Sequence, residues 1–304
     1  MKTYNHLNDF YKEKFKERTL KICIDGSFTC PNRDGTKGYG GCIFCGEKGA
    51  GELTKNTLTI KDQVYSFLNS YRGKRANKFI VYFQSFTNTY APIKTLKKKY
   101  DEALIDERII GIDIDTRPDC INEEVCKLLA SYKDKYYVMC ELGLQVASNK
   151  LHKEMNQQIT NEDFINAVNL LNKYGIDIIV HVMVGLPNQT HQDIIETVNL
   201  LNSIKYQGIK IHSTFILKNT VLEYLYNKNL YTPLKYEDYL EEVKYIINNI
   251  SEEVVIHRIT GDPPKESFVA PEWTLHKKRI LNDIENYYRL SKDYQGCEHK
   301  KNKG

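Results

Sequence analysis

The chain has 304 residues, 41% hydrophobic and 27% charged, with 22 Tyr and 11 Phe; this mixture excludes wholesale disorder, a collagen-like repeat and a disulfide-dense miniature. Its net charge of +4, from 43 Lys+Arg against 39 Asp+Glu, is spread along the sequence, so it permits a polyanionic partner without arguing for one. The longest apolar stretch, Ile176 to Pro187, is broken by Asp177 and His181 and is too short to span a membrane. Met1 to Lys21 lacks the apolar core and cleavage site of a secretory signal, so a cytoplasmic protein with no membrane contact is expected.

A strand-like run, Leu20 to Ile24, leads into a Gly-rich loop from Asp25 to Gly51. A regular alternation follows: helix near Leu58 to Tyr71, strand Phe79 to Phe83, helix near Ala91 to Leu104, strand Ile109 to Ile114, helix near Asn122 to Tyr132, strand Tyr137 to Leu144. It continues with a helix near Asp163 to Tyr174, strand Ile176 to Val184, helix near Asp193 to Ile204 and strand Ile209 to Ile216, giving six βα-type units. Thr160 with Asp163 and Thr190 with Asp193 mark helix starts, Phe164, Val168 and Leu171 form an apolar helix face, and Gly175 and Gly208 stand where a helix end would use a glycine. Such alternation builds a parallel sheet with right-handed crossovers. The α/β fold expected is a partial (β/α)6 TIM-type barrel with its functional loops at the C-terminal strand ends; a doubly wound open sheet is the other possibility.

Beyond Asn219 the pattern turns helical and Tyr-rich to about Ile250, with a short strand Val254 to His257 and a Pro-punctuated loop Gly261 to Pro271. The expected organisation is a barrel core over 1–218, a mostly helical capping extension over 219–290, and a flexible basic tail over 291–304.

The eight cysteines carry the main chemical clue, because clustered cysteines in a reducing compartment hold metal or do chemistry more often than they form disulfides. Cys30, Cys42 and Cys45 lie in CPNRDGTKGYGGCIFC, with eleven residues in the first gap and two in the second. Glycines 35, 38, 40 and 41 let the backbone wrap and turn its amides toward sulfur. Three thiolates are one short of a closed zinc site, whereas a four-iron four-sulfur cluster held by three Cys keeps one iron open. A structural zinc with Cys23 as fourth ligand is the bland alternative, although Cys23 in its strand reads as core. Cys120, Cys126, Cys140 and Cys297 show no paired spacing and read as small buried hydrophobes.

A three-Cys loop after the first strand of such a chain, with Phe44 before the last Cys, resembles the radical S-adenosylmethionine (SAM) superfamily. The spacing is closer to the branch of the Elongator catalytic subunit. Together with IDTRPD at 114–119, ELGLQ at 141–145, HVMVGLP at 181–187, HRITGDPP at 257–264 and APEW at 270–273 it is similar to the YhcC/YtqA-like proteins, from about Leu20 to Trp273. The resemblance implies that Cys30, Cys42 and Cys45 hold a 4Fe-4S cluster and that SAM binds its open iron. It places Gln84, Ser85 and Asn88, in QSFTNTY, at the SAM amino group, in place of the usual glycine-glycine-glutamate, with Thr87 in the same segment. It places Asp115 at the polar end of SAM, Gln145 at the ribose, His181 toward the cofactor, and Gly185 with Pro187 beside adenine. Where relatives carry an Arg for the SAM carboxylate, MNQQI offers Gln157, with Arg117 as a substitute cation.

Each of these positions has an ordinary reading too. The QSFTNTY residues could form a plain polar loop, Asp115 and Gln145 could cap turns, and His181 could be a satisfied core histidine. His257, Arg258, Asp262 and Trp273 either close the pocket or form a salt-bridged loop over the sheet edge. The basic run Lys97 to Lys99 reads as a solvated face. The resemblance further implies a tRNA substrate, specifically conversion of carboxymethylaminomethyl- to aminomethyluridine at the wobble position, and an electron donor such as flavodoxin or ferredoxin. Radical chemistry on a small metabolite or peptide, and a zinc-stabilised RNA-binding module without redox function, are the competing readings.

Overall fold

The computed structural model describes residues 4–49 and 57–301; the end of the Gly-rich loop at Gly51 and the last three residues of the tail lie outside them. In chain order the elements are α1 (Leu7–Phe15), β1 (Thr19–Ile24), α2 (Ile60–Asn69), β2 (Lys78–Phe83), α3 (Ile93–Ala103), β3 (Ile109–Thr116), α4 (Glu123–Ala130), β4 (Tyr137–Gln145), α5 (Asn149–Glu154), α6 (Asn161–Lys173), β5 (Asp177–Val184), α7 (His191–Asn202) and β6 (Gly208–Ser213). They are followed by β7 (Ile216–Leu217), α8 (Val221–Asn227), α9 (Tyr236–Asn249), β8 (Val255–Arg258), β9 (Phe268–Ala270), α10 (Lys277–Leu290) and α11 (Cys297–Lys301).

Seven strands form one parallel sheet in the order β1-β2-β3-β4-β5-β6-β8, curled into a partial barrel with helices outside. The expected six-unit alternation is present. The strand run near Val254 does more than cap it: β8 pairs with β6 and becomes the seventh stave. The expected strand to Ile216 stops at Ser213, and Ile216–Leu217 turns away to pair antiparallel with β9.

The period-2 rule of strands sorts the side chains. Ile22, Ile24, Val81, Phe83, Ile112, Ile114, Leu142, Val180 and Ile211 point outward into the main core, where they meet Val64, Leu96, Leu129, Phe164 and Val198 of the helices. Each such fully buried apolar side chain contributes about 1.5–3 kcal/mol. The alternate residues point into the barrel. At its N-terminal end Ile80, Met139 and Ile179 form a floor on which Tyr11 of α1 sits, 2% exposed. One layer above, the interior becomes charged.

Thr160 and Thr190 build the two expected capping boxes with Asp163 and Asp193, and Gly175 takes the left-handed φ of +62° that the turn after α6 requires. Gly208 differs from expectation: α7 ends at Ser203 with no glycine cap, and Gly208 lies inside β6, where a Cβ would stand 2.7 Å from His257 Nε2. The segment after 291 is not a solvated tail throughout. Gln295 and Cys297 are buried, and the Gln295 side chain takes the backbone N–H of Asn5 at 2.8 Å and donates to the carbonyls of Ser251 and Val254 at 2.8 Å each. Among the described residues no helix is long and apolar enough to cross a membrane.

Candidate active site

The loop after β1 carries Cys30, Cys42 and Cys45, none in a disulfide. Gly40 and Gly41 hold φ of +76° and +80°, which only glycine adopts without strain, and bring Cys42 back beside the start of the loop. The backbone N–H of Arg33 donates to Cys30 O at 2.8 Å, that of Gly41 to Asn32 O at 2.8 Å and that of Cys45 to Cys42 O at 2.9 Å. The loop is braced from outside by the turn after α5. The Asn156 side-chain amide donates to Gly41 O at 2.8 Å, and Ile43 N donates to Met155 O at 3.1 Å. Asn32 donates from its amide to Asn156 O at 2.5 Å and lies 3.7 Å from Cys42 Sγ.

Burial pushes the Cys42 thiol up to about 12, with the neighbouring Cys45 and Cys30 sulfurs adding to the rise and the Arg117 guanidinium opposing it. Three sulfurs close enough to repel as thiolates need a shared cation. A cationic iron-sulfur core meets that need, and three ligands leave one of its irons open. The residues present therefore fit the cluster.

Beside this loop lies a chamber of about 900 Å³ that runs into the barrel. Phe44, Cys45, Gln84, Asp115, Gln145 and His181 line it together, as expected for a single binding site. Gln145 reaches it through a register shift between Gly143 and Gln145, with φ of +67° at Gln145; the Gln145 amide nitrogen lies over Gly143, 2.9 Å from where a Cβ would stand.

Other expected positions stand elsewhere. Asn88 is buried and spends its amide on Phe83 O at 3.2 Å and Asp115 O at 2.8 Å, tying two strand ends together. Ser85 is buried, and Gly185, at φ +91°, packs against Leu234 while its carbonyl accepts from the Tyr231 hydroxyl at 2.6 Å. Gln157 turns its amide to the carbonyls at the end of β4, 3.4 Å away. The Arg117 guanidinium is held by Asp119 at 2.9 and 3.0 Å. Neither lines the chamber; Arg117 stands near Cys30 and Cys42 instead. Trp273 packs on Tyr239 with ring centroids 4.8 Å apart and donates to Leu234 O at 3.0 Å, so it braces the extension. Cys23, expected in the core, faces the chamber.

The interior charges are the part sequence reasoning missed. Glu141, wholly buried, accepts from Lys21 Nζ at 2.8 Å, from Lys210 Nζ, and from His181 Nε2 at 2.6 Å. Lys21 also pairs with Asp113, and Lys210 donates to the Tyr82 hydroxyl at 3.0 Å, which in turn donates to Asp115 at 3.2 Å. The two ammonium groups hold the Glu141 carboxyl well below the usual range against the opposing effect of burial. Burial, reinforced by Glu141, pushes Asp113 up to about 7 and raises Asp115 as well. Burial lowers His181 to about 4, so it is a neutral imidazole that donates from Nε2. Asp115, Glu141 and His181 offer ligand atoms within 4.8 Å of one another, but the ammonium groups of Lys21 and Lys210 already satisfy Glu141, and no metal is needed there. A signal existed: single charged residues inside otherwise apolar strand runs, KICI, IDID, CELG and IKIH.

Comparison with known proteins agrees with this geometry. The family model for the radical SAM superfamily matches residues 30–201 and that for the radical SAM C-terminal domain matches 206–289. The chain is 36% identical to the uncharacterized protein YtqA of Bacillus subtilis over 97% of its own length and 92% of that protein, and 29% identical to YhcC of Escherichia coli over 90% and 88%. A partial match, 25% identical over 52% of this chain and 29% of the relative, is to a tRNA uridine(34) acetyltransferase of Methanocaldococcus jannaschii. The solved structure of Elp3 from Methanocaldococcus infernus shares the fold, with a TM-score of 0.64 at 17% identity over 88% of this chain and 63% of that one. With its three-cysteine loop at the mouth of a partial barrel, the chain belongs to the radical SAM superfamily, whose cofactors are a 4Fe-4S cluster and SAM.

Proposed function

We propose that this radical SAM protein remodels the wobble uridine of tRNA, converting the 5-carboxymethylaminomethyl group to 5-aminomethyl. The observation that carries the reading is the chamber itself. At about 900 Å³, it lies at the upper end of the range for small-molecule sites and has room for SAM and a nucleoside side by side. The partial likeness to a tRNA uridine(34) acetyltransferase supports the choice of substrate. When bound, the cluster and SAM supply a net two-electron oxidation: SAM is cleaved reductively to methionine and 5′-deoxyadenosine, while the carboxymethyl carbon on nitrogen is oxidised and leaves, with the oxygen of water, as glyoxylate.

The chain's own residues hold and enclose. Cys30, Cys42 and Cys45 hold the cluster, and Phe44 covers its chamber side. Gln84 and Asp115 accept hydrogen bonds from the SAM amino group, Gln145 meets the ribose, and His181 borders the nucleoside. The layer of Lys21, Asp113, Glu141 and Lys210 keeps the chamber polar at one end without bulk water. A small donor such as flavodoxin or ferredoxin would supply the electron that primes the cluster, which the oxidation of the substrate gives back. Membership of the family removes the ground for a zinc-stabilised module. The test compares modified nucleosides in tRNA from cells with and without the gene: accumulation of the carboxymethylaminomethyl form at the wobble position is expected, and an unchanged profile there rejects the RNA substrate in favour of a small metabolite or peptide.

A further inference from the structure

None of the residues expected at the cofactors lies on the wall made by β6 and β8, and that wall is built unusually. Ile209 pairs with Ile256, but Lys210 pairs with Arg258, so His257 is an extra residue in the ladder. Without that bulge, adjacent residues of a strand would face opposite sides; with it, His257 and Arg258 both line the chamber, beside His212.

Among the described residues two nitrogens on this wall are buried and have no hydrogen-bond partner, His212 Nε2 and His257 Nδ1. Unsatisfied buried polar atoms are rare in folded proteins, so a pair on one wall marks a place for a ligand. Two of the nearby carboxylates are already engaged. Glu141 serves Lys21, Lys210 and His181, and Asp262 serves Lys277 at 2.7 Å with Arg258 Nη2 at 3.5 Å. The wall thus offers two imidazoles and a guanidinium whose carboxylate partner, Asp262, stands 3.5 Å away and is shared with Lys277. Burial first, and the surrounding cations after it, hold both imidazoles well below their usual range, so both are neutral.

We propose that His212, His257 and Arg258 form the seat of a carboxylate carried by the substrate. This rests on the chamber being the substrate site and deepens that reading: the group to be transformed would be oriented by its acid end, with Arg258 supplying the charge and the two imidazoles the short hydrogen bonds. The seat belongs to β6 and β8, whereas Asp115 stands near the end of β3 and Gln84 follows β2.

The test is ligand-observed NMR on the anaerobic holoenzyme loaded with SAM, with acetate as probe, acetamide as its neutral isostere and inorganic phosphate as a second anion. Acetate should show saturable broadening in the millimolar range and acetamide none. Arg258→Gln and His257→Gln should each weaken acetate at least about tenfold, while Lys150→Gln, on a side chain 80% exposed, should leave it unchanged. Circular dichroism melts confirm that the variants are folded. Equal binding by wild type and Arg258→Gln overturns the proposal, as does phosphate binding more tightly than acetate. Acetate that binds the cluster-loaded enzyme without SAM but not the SAM-loaded enzyme would assign the seat to the cofactor and overturn the proposal too. Because the readout is binding, it is separate from the tRNA comparison: acetate bound with unchanged tRNA points to another carboxylate substrate, and altered tRNA without acetate binding removes only the seat.

Discussion

Replacing Glu141 by Gln tests the interior network most directly. The carboxylate is wholly buried and neutralises two ammonium groups. After the change Lys21 keeps Asp113, but Lys210 keeps only the Tyr82 hydroxyl at 3.0 Å. One buried cation is left without an anion, which costs about 3–5 kcal/mol, or on the order of 10 °C in Tm. Guanidinium denaturation followed by emission of Trp273, the single tryptophan, reads the loss. Adding Lys210→Met removes the orphaned ammonium, so the double variant should recover more than half of the loss, a coupling that only neighbouring groups show. A Glu141→Gln protein within about 1 kcal/mol of wild type, or a double variant whose losses simply add, would refute the assignment of these residues to one charge-balanced layer.

Cys42→Ala should abolish the brown colour and iron content of anaerobically purified protein, while Cys126→Ala, on the face of α4 buried in the main core, should keep both and lose about 1 kcal/mol of stability. The pH dependence of Tm should tilt in opposite directions in two variants. Asp113, raised to about 7, favours the folded state fully below its unfolded pKa of about 3.9, and the gain is lost as pH rises through 7. His181, lowered to about 4, favours it above about 6.5, and the gain is lost as pH falls. Asp113→Asn should therefore make Tm climb more steeply from pH ~4 to ~7, and His181→Gln should make it climb less; parallel curves contradict both. Tyr11→Ala, which empties the floor of the barrel, should cost about 3–5 kcal/mol by denaturant titration, and a loss under 1 kcal/mol would show that α1 does not plug it.

The alternation of strands and helices was legible because each strand is an apolar run and each helix has a capped start and a period of 3.6, as Thr160 and Phe164 show. The metal loop was legible because three cysteines and several glycines are local in sequence. What escaped was set by long-range pairing. α1 has Leu7, Phe10, Tyr11 and Phe15 on a lightly apolar, highly charged segment, and its place depends on a floor formed by β2, β4 and β5. β8 has only four residues, too few to announce that it pairs with β6. The fate of Asn88 and Gly185 depended on which neighbours reached them, and no pattern within either segment states that. The bulge at His257 is invisible from β8 alone, since it exists only relative to β6.

The sheet's two margins, β1 and β8, are not paired with each other; α1 lies against both, and the segment before it is stitched to β8 through a parallel bridge of His6 with Ile256 and to the far end of the chain through Asn5 and Gln295. The enclosure is thus a bracelet with a clasp, and the clasp is made of segments from opposite ends of the sequence, around Asn5 and Gln295. Letting a bulky guest in at the side requires only that a few bonds at this fastening slip, with every strand ladder of the wall left whole.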